Sequence, residues 1–236
     1  MPQITELWAE VKAKQAWYAG GAAYWASTEP TNDGVLGGYG RVHAADMKDS
    51  RAFVTPLLVV KPKRALDVAA GIGRVSDGLL LDLCDRVDLL EECERFMQQA
   101  RSQLAPAGDR VRFFCSRMQD FVPEAGGYDL IWVQWCIGSL SDADLVAFLT
   151  RCKAGLATGG LIVLKDNILD HSCPDKLERG PGAALYLVDR EDNTVIRSRE
   201  YLDVLLQRCD LRHVCTSRTA ELGAAELYPV GLYALR

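Results

Sequence analysis

Residues 64 to 74 read Arg64-Ala65-Leu66-Asp67-Val68-Ala69-Ala70-Gly71-Ile72-Gly73-Arg74, and this stretch decides the fold. A short apolar run, Ala65 to Ala69, ends on glycines, and Val75 to Cys84 then carries helical spacing. That is a strand turning into a helix, and downstream the pattern repeats. Asp85 to Glu91 reads as a second strand, Arg95 to Leu104 as a helix, Val111 to Cys115 as a third strand and Tyr128 to Trp135 as a fourth. Ser141 caps a helix over Asp142 to Leu156, and Gly160 to Lys165 is a fifth strand. Such alternation predicts an α/β fold with a doubly wound, Rossmann-like, mostly parallel sheet. Upstream, Leu7, Val11 and Lys14 at helical spacing predict an N-terminal helix, followed by a Gly-rich break and a second helix near Met47 to Val60 that Pro62 closes. After an irregular stretch from Asp166 to Arg197 come a helix near Arg199 to Arg208 and two strands, near Leu211 to Ser217 and Leu227 to Leu235. These last two are expected to form an antiparallel edge hairpin.

Composition narrows the function. The 236 residues carry 27 basic and 32 acidic side chains, a net charge of -5, which gives no general attraction to phosphate backbones. No nucleic-acid partner is expected. No stretch reaches the roughly 20 apolar residues of a membrane span, and the amino end lacks the basic flank and apolar core of a secretion signal, so neither a membrane nor an export role is expected. Eight cysteines, at positions 84, 93, 115, 136, 152, 173, 209 and 215, form no C-x-x-C pair, and only three histidines are present, so no metal site is expected. Runs such as Phe113-Phe114-Cys115 and Trp135-Cys136-Ile137 suit reduced cysteines acting as small apolar side chains. They point to a reducing compartment, with a cytoplasmic and nuclear location.

In an open α/β sheet, ligands bind at the carboxyl ends of the strands where strand order reverses, against the first glycine turn. Set on the dinucleotide fingerprint G-x-G-x-x-G, the turn has Ala69 at the first glycine and Arg74 at the third, which disfavours NAD. Arg74 can instead pair with a carboxylate, which S-adenosylmethionine has and NAD lacks. Gly71 and Gly73 fit close approach to that ligand. Glu91 follows Gly71 by 20 residues, where an acidic side chain accepts the hydroxyls of a ribose; alternatively it is a solvated carboxylate like its neighbours Glu92 and Glu94.

Leu36-Gly37-Gly38-Tyr39-Gly40, Gly71-Ile72-Gly73-Arg74, Met118-Gln119-Asp120-Phe121, Ile131-Trp132-Val133-Gln134-Trp135, Lys165-Asp166-Asn167 and the terminal Tyr233-Ala234-Leu235-Arg236 together resemble the protein α-N-terminal methyltransferase family, from about Tyr24 to the end. The resemblance implies methyl transfer from S-adenosylmethionine, leaving S-adenosylhomocysteine, to the α-amino group of protein N-terminal peptides resembling X-Pro-Lys. It implies cofactor contacts at Gly71, Gly73, Arg74, Glu91, Met118, Gln119 and Gln134. On the substrate side it implies Tyr24, Trp25, Leu36, Trp135, Asn167, Asp189, Asp192, Leu227 and Tyr228. One domain over 1–236 is then expected, with an N-terminal helical cap at 1–62, a cofactor-binding half at 63–165 and a substrate-side insertion with edge strands at 166–236.

Three departures from the family stand out. Ala69 replaces a glycine and Glu91 an aspartate, and both keep the chemistry. Ser139 stands where the family has a histidine thought to help deprotonate the amine. An α-amino group titrates near 8 and must lose a proton before its lone pair can attack a methyl group. Asp192 is the candidate acceptor, with Asn167 beside it and Ser139 at most a relay. Two other readings share the cofactor half: a small-molecule methyltransferase, and an inactive S-adenosylmethionine-binding partner subunit, which Ser139 would suit.

Overall fold

The computed structural model describes residues 11–169, 178–179, 185–219 and 227–236. Leu7 lies outside them. Strand β1 (Arg64–Val68) is buried from Ala65 onward and pairs in parallel with β2 (Arg86–Glu91) on one side and β4 (Tyr128–Gln134) on the other. With β3 (Val111–Cys115) and β5 (Leu156–Leu169) the parallel order is β3-β2-β1-β4-β5, so strand order reverses between β1 and β4. Val68 stands level with Leu90 and Val133, and Gln134 with Lys165. The strand ends are therefore flush, and the turns that leave them open onto one crevice.

Both faces of the sheet are covered, as parallel strands require. Leu66, Val68, Ile131 and Val133 pack against α4 (Asp142–Gly155) and α5 (Arg199–Arg208). Ala65, Leu89, Leu130 and Trp132 pack against α2 (His43–Val54), α3 (Glu94–Gln103) and the π-helical turn Ser76–Leu80. Each buried Leu, Ile or Val among them contributes roughly 1.5–3 kcal/mol, so the two faces supply the main driving force. Helix α1 (Val11–Ser27) lies over the crevice, its Trp17 joining the first of these clusters.

Several bounds follow the sequence closely. β3 and α5 span the expected residues, and Ser141 caps α4 by accepting the Asp144 N–H at 3.2 Å. Others do not. α2 begins at His43 and stops at Val54, because Pro56 cannot continue it; Val59 and Val60 are 92% and 76% exposed. Gly20 and Gly21 do not break α1, and the interruption comes after Ser27. The helix expected over Val75 to Cys84 is the π turn plus one short turn, Leu81–Leu83. β5 runs far beyond Gly160 to Lys165 because partners extend it. β10 (Val230–Leu235) pairs antiparallel with Ile162–Asn167, and β8 (Thr194–Ser198) in parallel with Ile168 and Leu169. β10 also pairs with β9 (His213–Thr219), the expected antiparallel hairpin. The stretch read as irregular holds instead a hairpin of β7 (Tyr186–Asp189) and β8, with β6 (Glu178–Arg179) at its edge. Cys84, Cys136, Cys152 and Cys209 are buried free thiols as expected, but Cys115 is exposed, because β3 is the edge strand.

Candidate active site

The carboxyl ends of β1, β2, β4 and β5 open into a cavity of about 830 Å³, roofed by α1 and the β7–β8 hairpin. Its floor begins at the turn after β1. Ala69, Gly71 and Gly73 have φ of +50°, +57° and +81°, so the chain coils tightly there. A Cβ on Gly73 would come within 2.9 Å of Leu104, so that glycine is also needed for α3 to pack. Opposite, the buried Glu91 accepts the Gly71 N–H on Oε2 at 2.9 Å and the Cys93 N–H on Oε1 at 2.8 Å. Burial raises its pKa and those N–H groups oppose the shift. Each oxygen keeps a lone pair for a further donor. Asp67 is pushed up to about 7 by burial, against a hydrogen bond from Ser76 Oγ at 2.7 Å.

Met118 and Gln119 line the same side. Their carbonyl oxygens accept from Arg151 Nη2 at 2.9 and 3.0 Å, while Arg151 Nε donates to Phe121 O at 3.0 Å. Arg151, on α4, thus holds the loop after β3. A lone arginine late in a helix gave no sign of this.

A second missed residue is Asp46 on α2, fully buried. It accepts from Arg74 Nη1 at 2.6 Å and from Gln134 Nε2 at 3.0 and 2.9 Å, and its Oδ1 lies 2.6 Å from Lys165 Nζ. Burial would raise its pKa, but Arg74 and Lys165 outweigh it and hold the carboxyl below its usual range. Lys165, also fully buried, reaches Ser50 Oγ at 2.9 Å as well. Arg74 lies on the cavity wall as expected, over the Trp135 ring. Gln134 also reaches the wall, but its amide is committed to Asp46 and, through Oε1, to Trp132 Nε1 at 2.8 Å. Gln134 thereby also supports Asp46 and, through it, Arg74.

Across the cavity stand Tyr24 and Trp25, half-buried and edge-to-face at 5.1 Å. Leu36, Leu227 and Trp135 gather into one apolar cluster with Val230, while Tyr228 packs on Leu169, Leu187 and Ile196 and also lines the cavity. Trp135 follows β4 with φ +51°, and its indole Nε1 is buried without a hydrogen-bond partner among the described residues. A left-handed non-glycine residue carrying an unpaired donor marks a site that expects a ligand.

Asn167 and Asp192 line the wall, whereas Asp189 does not; its Oδ1 turns back to accept the Glu191 N–H at 2.9 Å. Asp192 accepts from Thr194 Oγ1 at 2.7 Å, and its pKa is pushed up to about 6 by burial, against that bond and with help from Asp189. Ser139 lines the cavity but donates its hydroxyl proton to Cys136 O at 2.8 Å, so as placed it accepts and does not pass a proton on. Asp166, quoted in the sequence only as part of Lys165-Asp166-Asn167, caps the turn after β4: Oδ2 accepts the Cys136 and Ile137 N–H groups, both at 3.1 Å. Among the described residues no three His, Cys, Asp or Glu side chains gather as a metal ion would need, and no helix is long and apolar enough to cross a membrane.

The model of the AdoMet-dependent proline di-methyltransferase family matches residues 13–236. This chain belongs to that family. It is 37% identical over 251 residues to alpha N-terminal protein methyltransferase 1 of Arabidopsis thaliana, covering 98% of this chain and 86% of the relative. With human N-terminal Xaa-Pro-Lys N-methyltransferase 1 it shares 36% identity over 96% of this chain and 98% of the relative. A SAM-dependent methyltransferase of Leishmania major superposes with a TM-score of 0.82 at 34% identity, over 93% of this chain and 83% of that one. A glycopeptide N-methyltransferase solved with S-adenosylmethionine, 16% identical, shares only the fold, with a TM-score of 0.61 over 80% of this chain and 86% of that one. The family's cofactor suits the floor described: a tight glycine turn, Glu91 with lone pairs to spare, and Arg74 held upright by Asp46. The family glycine at position 69 is explained as well, since Ala69 takes the left-handed conformation glycine adopts freely.

Proposed function

We propose that this methyltransferase acts on the α-amino group of protein N-terminal peptides resembling X-Pro-Lys, the substrate its relatives are named for. The observation that carries this reading is Asp192: a half-buried carboxyl pushed up to about 6, on the wall opposite the Gly71–Glu91 floor. S-adenosylmethionine supplies an electrophilic methyl group bound to a sulfonium. The carboxylate and amide groups of this chain do the rest. Gly71, Gly73, Arg74 and Glu91 would hold the cofactor, with Met118 and Gln119 beside it.

The peptide's amino end arrives as an ammonium ion, and Asp192 takes its proton so that the nitrogen lone pair is released. From an amine near 8 to an ordinary aspartate that transfer runs uphill by about four units, but to Asp192 by about two, a gain near 3 kcal/mol at roughly 1.36 kcal/mol per unit. Tyr24, Trp25, Leu36, Trp135, Leu227 and Tyr228 give the second residue an apolar seat, and Asn167 offers an amide to the peptide backbone. The negative charge of the hairpin that carries Asp189, Glu191 and Asp192 favours a lysine in the third position.

Incubation with an X-Pro-Lys hexapeptide, read by mass, tests the proposal. Mass increments of 14 Da on the N-terminal residue are expected, and an unmodified peptide under conditions where small amines are methylated would refute it. Calorimetric cofactor affinity of Glu91→Ala is expected to fall at least tenfold, about 1.4 kcal/mol.

A further inference from the structure

Helix α1 carries a Gly20-Gly21 pair in its middle, at a cost of roughly 1 kcal/mol per residue against alanine. The structure shows what occupies the space they leave. A Cβ on Gly20 would lie 2.0 Å from Asn193 Nδ2, and one on Gly21 would lie 3.4 Å from Asp192 O. Asn193, at the tip of the β7–β8 hairpin, donates from that same Nδ2 to the carbonyl of Trp17 at 3.0 Å. Trp17 in turn donates its indole N–H to Ser139 O at 2.8 Å, tying α1 to the turn after β4. On the hairpin's other side, a Cβ on Gly138 would meet Thr194 Cβ at 3.2 Å and Val195 O at 3.1 Å. The segment bearing Asp192 and Thr194 is thus held between two glycine surfaces on separate elements.

We propose that Asn193 is a positioning residue for the reaction: by fastening the hairpin tip to Trp17 and seating on Gly20, it keeps the Asp192 carboxyl half-buried in the cavity wall. The inference rests on Asp192 as the proton acceptor. Asn193 has φ +56°, which asparagine tolerates better than most residues, so a turn requirement alone could select it. Glycine would satisfy that requirement better, yet lacks the amide. The two roles therefore separate experimentally. The titratable groups around Asp192 are Asp189 and Glu191 on its own hairpin and Tyr24 on α1, and the Ile137–Ser139 turn beneath Thr194 carries no charged side chain.

Asn193→Gly keeps the backbone conformation and removes the tie. Gly20→Ala attacks the same tie from α1; it improves helix propensity and displaces only the end of the Asn193 side chain, so folding is retained. Two readouts are taken: the carbon-13 titration of the Asp192 carboxyl in cofactor-free protein, assigned by its loss in Asp192→Asn, and the pH profile of kcat/KM on the hexapeptide. With the tie cut, the carboxyl becomes more exposed to water. Its midpoint is expected to fall from about 6 toward the ordinary 3.8, the acid limb of the profile to move with it, and kcat at neutral pH to drop by roughly tenfold, with peptide KM within about threefold. Asn193→Gly placed on Asp192→Asn should cost nothing further. A midpoint and acid limb left in place by both variants overturn the proposal. If instead the midpoint moves while Asp192→Asn retains full turnover, the tie stands as geometry but Asp192 is not the acceptor, and the positioning role falls with it.

Discussion

Asp46 and Asp192 are the same side chain on opposite sides of one cavity, and they are treated in opposite ways. Asp46 receives Arg74, Lys165 and the Gln134 amide Nε2, which is shared between its two oxygens, and its pKa is held low although it is fully buried. Asp192 is less buried yet receives one side-chain hydroxyl, from Thr194, and rises to about 6. The difference lies in the partners, not in the depth. Where a carboxylate must stay charged, as an anchor for the arginine on the cavity wall, the chain surrounds it with donors from β4, β5 and the turn after β1. Where it is to accept a proton, partial burial raises its pKa and Thr194 opposes the shift only in part.

The largest expected effect tests the second half of that contrast. Asp192→Asn keeps the shape and removes the acceptor, so kcat should fall by about 10² to 10⁴, while calorimetric cofactor affinity stays within twofold. A rise in KM alone would assign Asp192 to lysine recognition instead. Next comes Asp46→Asn, which leaves the fully buried Lys165 short of its counter-ion. Breaking a buried pair costs about 3–5 kcal/mol, and urea unfolding should show a loss of that order together with weaker cofactor binding. A loss below about 1 kcal/mol would mean that Asp49 and Ser50 suffice for Lys165.

A pH series sharpens the contrast further, through Asp67. Its folded pKa near 7 lies above the 3.8 of the unfolded chain, so between these values the folded state binds more protons and stability falls as pH rises. Asp46 has the opposite sign: its contribution is full above 3.8 and is lost as pH drops through its lower folded value. The melting temperature of the cofactor-free protein should therefore decline from pH 5 to 7.5, and Asp67→Asn should flatten that decline. An unchanged slope would show that Asp67 is not the group responsible. The smallest effect is expected at Ala69→Gly. Relief of a left-handed alanine, about 1–2 kcal/mol, is partly offset by glycine's added chain entropy of roughly 0.5–1 kcal/mol, leaving a gain of about 1 kcal/mol and a few degrees in Tm. Cofactor affinity should not change, and a destabilised variant would show that the alanine methyl packs usefully.

The cofactor floor was legible because its signals are local. Gly71, Arg74 and Glu91 sit at strand ends whose sequence spacing sets their spatial spacing, and the structure brings them onto one crevice, whereas Gly73 lies beneath it and faces Leu89, Ala100 and Leu104. Asp46 and Arg151 were invisible for the complementary reason: each acts across dozens of residues, and nothing at positions 46 or 151 distinguishes them from solvated helix charges. Gln134 reaches the cavity wall as expected, and its amide partners Asp46 and Trp132 were not legible in the sequence. On the substrate side, the aromatic and apolar residues from Tyr24 to Tyr228 converge as the family resemblance implied, and so do Asn167 and Asp192, but Asp189 turns away. The β7–β8 hairpin was read as irregular because its strands are short and owe their form to the end of β5, and the helical course of α1 through Gly20-Gly21 was hidden because the group filling their notch lies at residue 193.

The 14 residues of β5 connect the two sides more closely than the cavity does. Its backbone is bonded to β4 and to β10 through Ile162 to Lys165, continues with β10 through Asn167, and at Ile168 and Leu169 hands over to β8. Neither half can therefore detach and leave the other with a completed edge: peeling away the hairpin strips the end of β5, and melting β4 strips its middle. Amide protons of Ile162 to Leu164 should exchange with deuterium only when the whole molecule opens, and the cofactor floor and the peptide wall, held so differently at the level of side chains, lose their structure in one event.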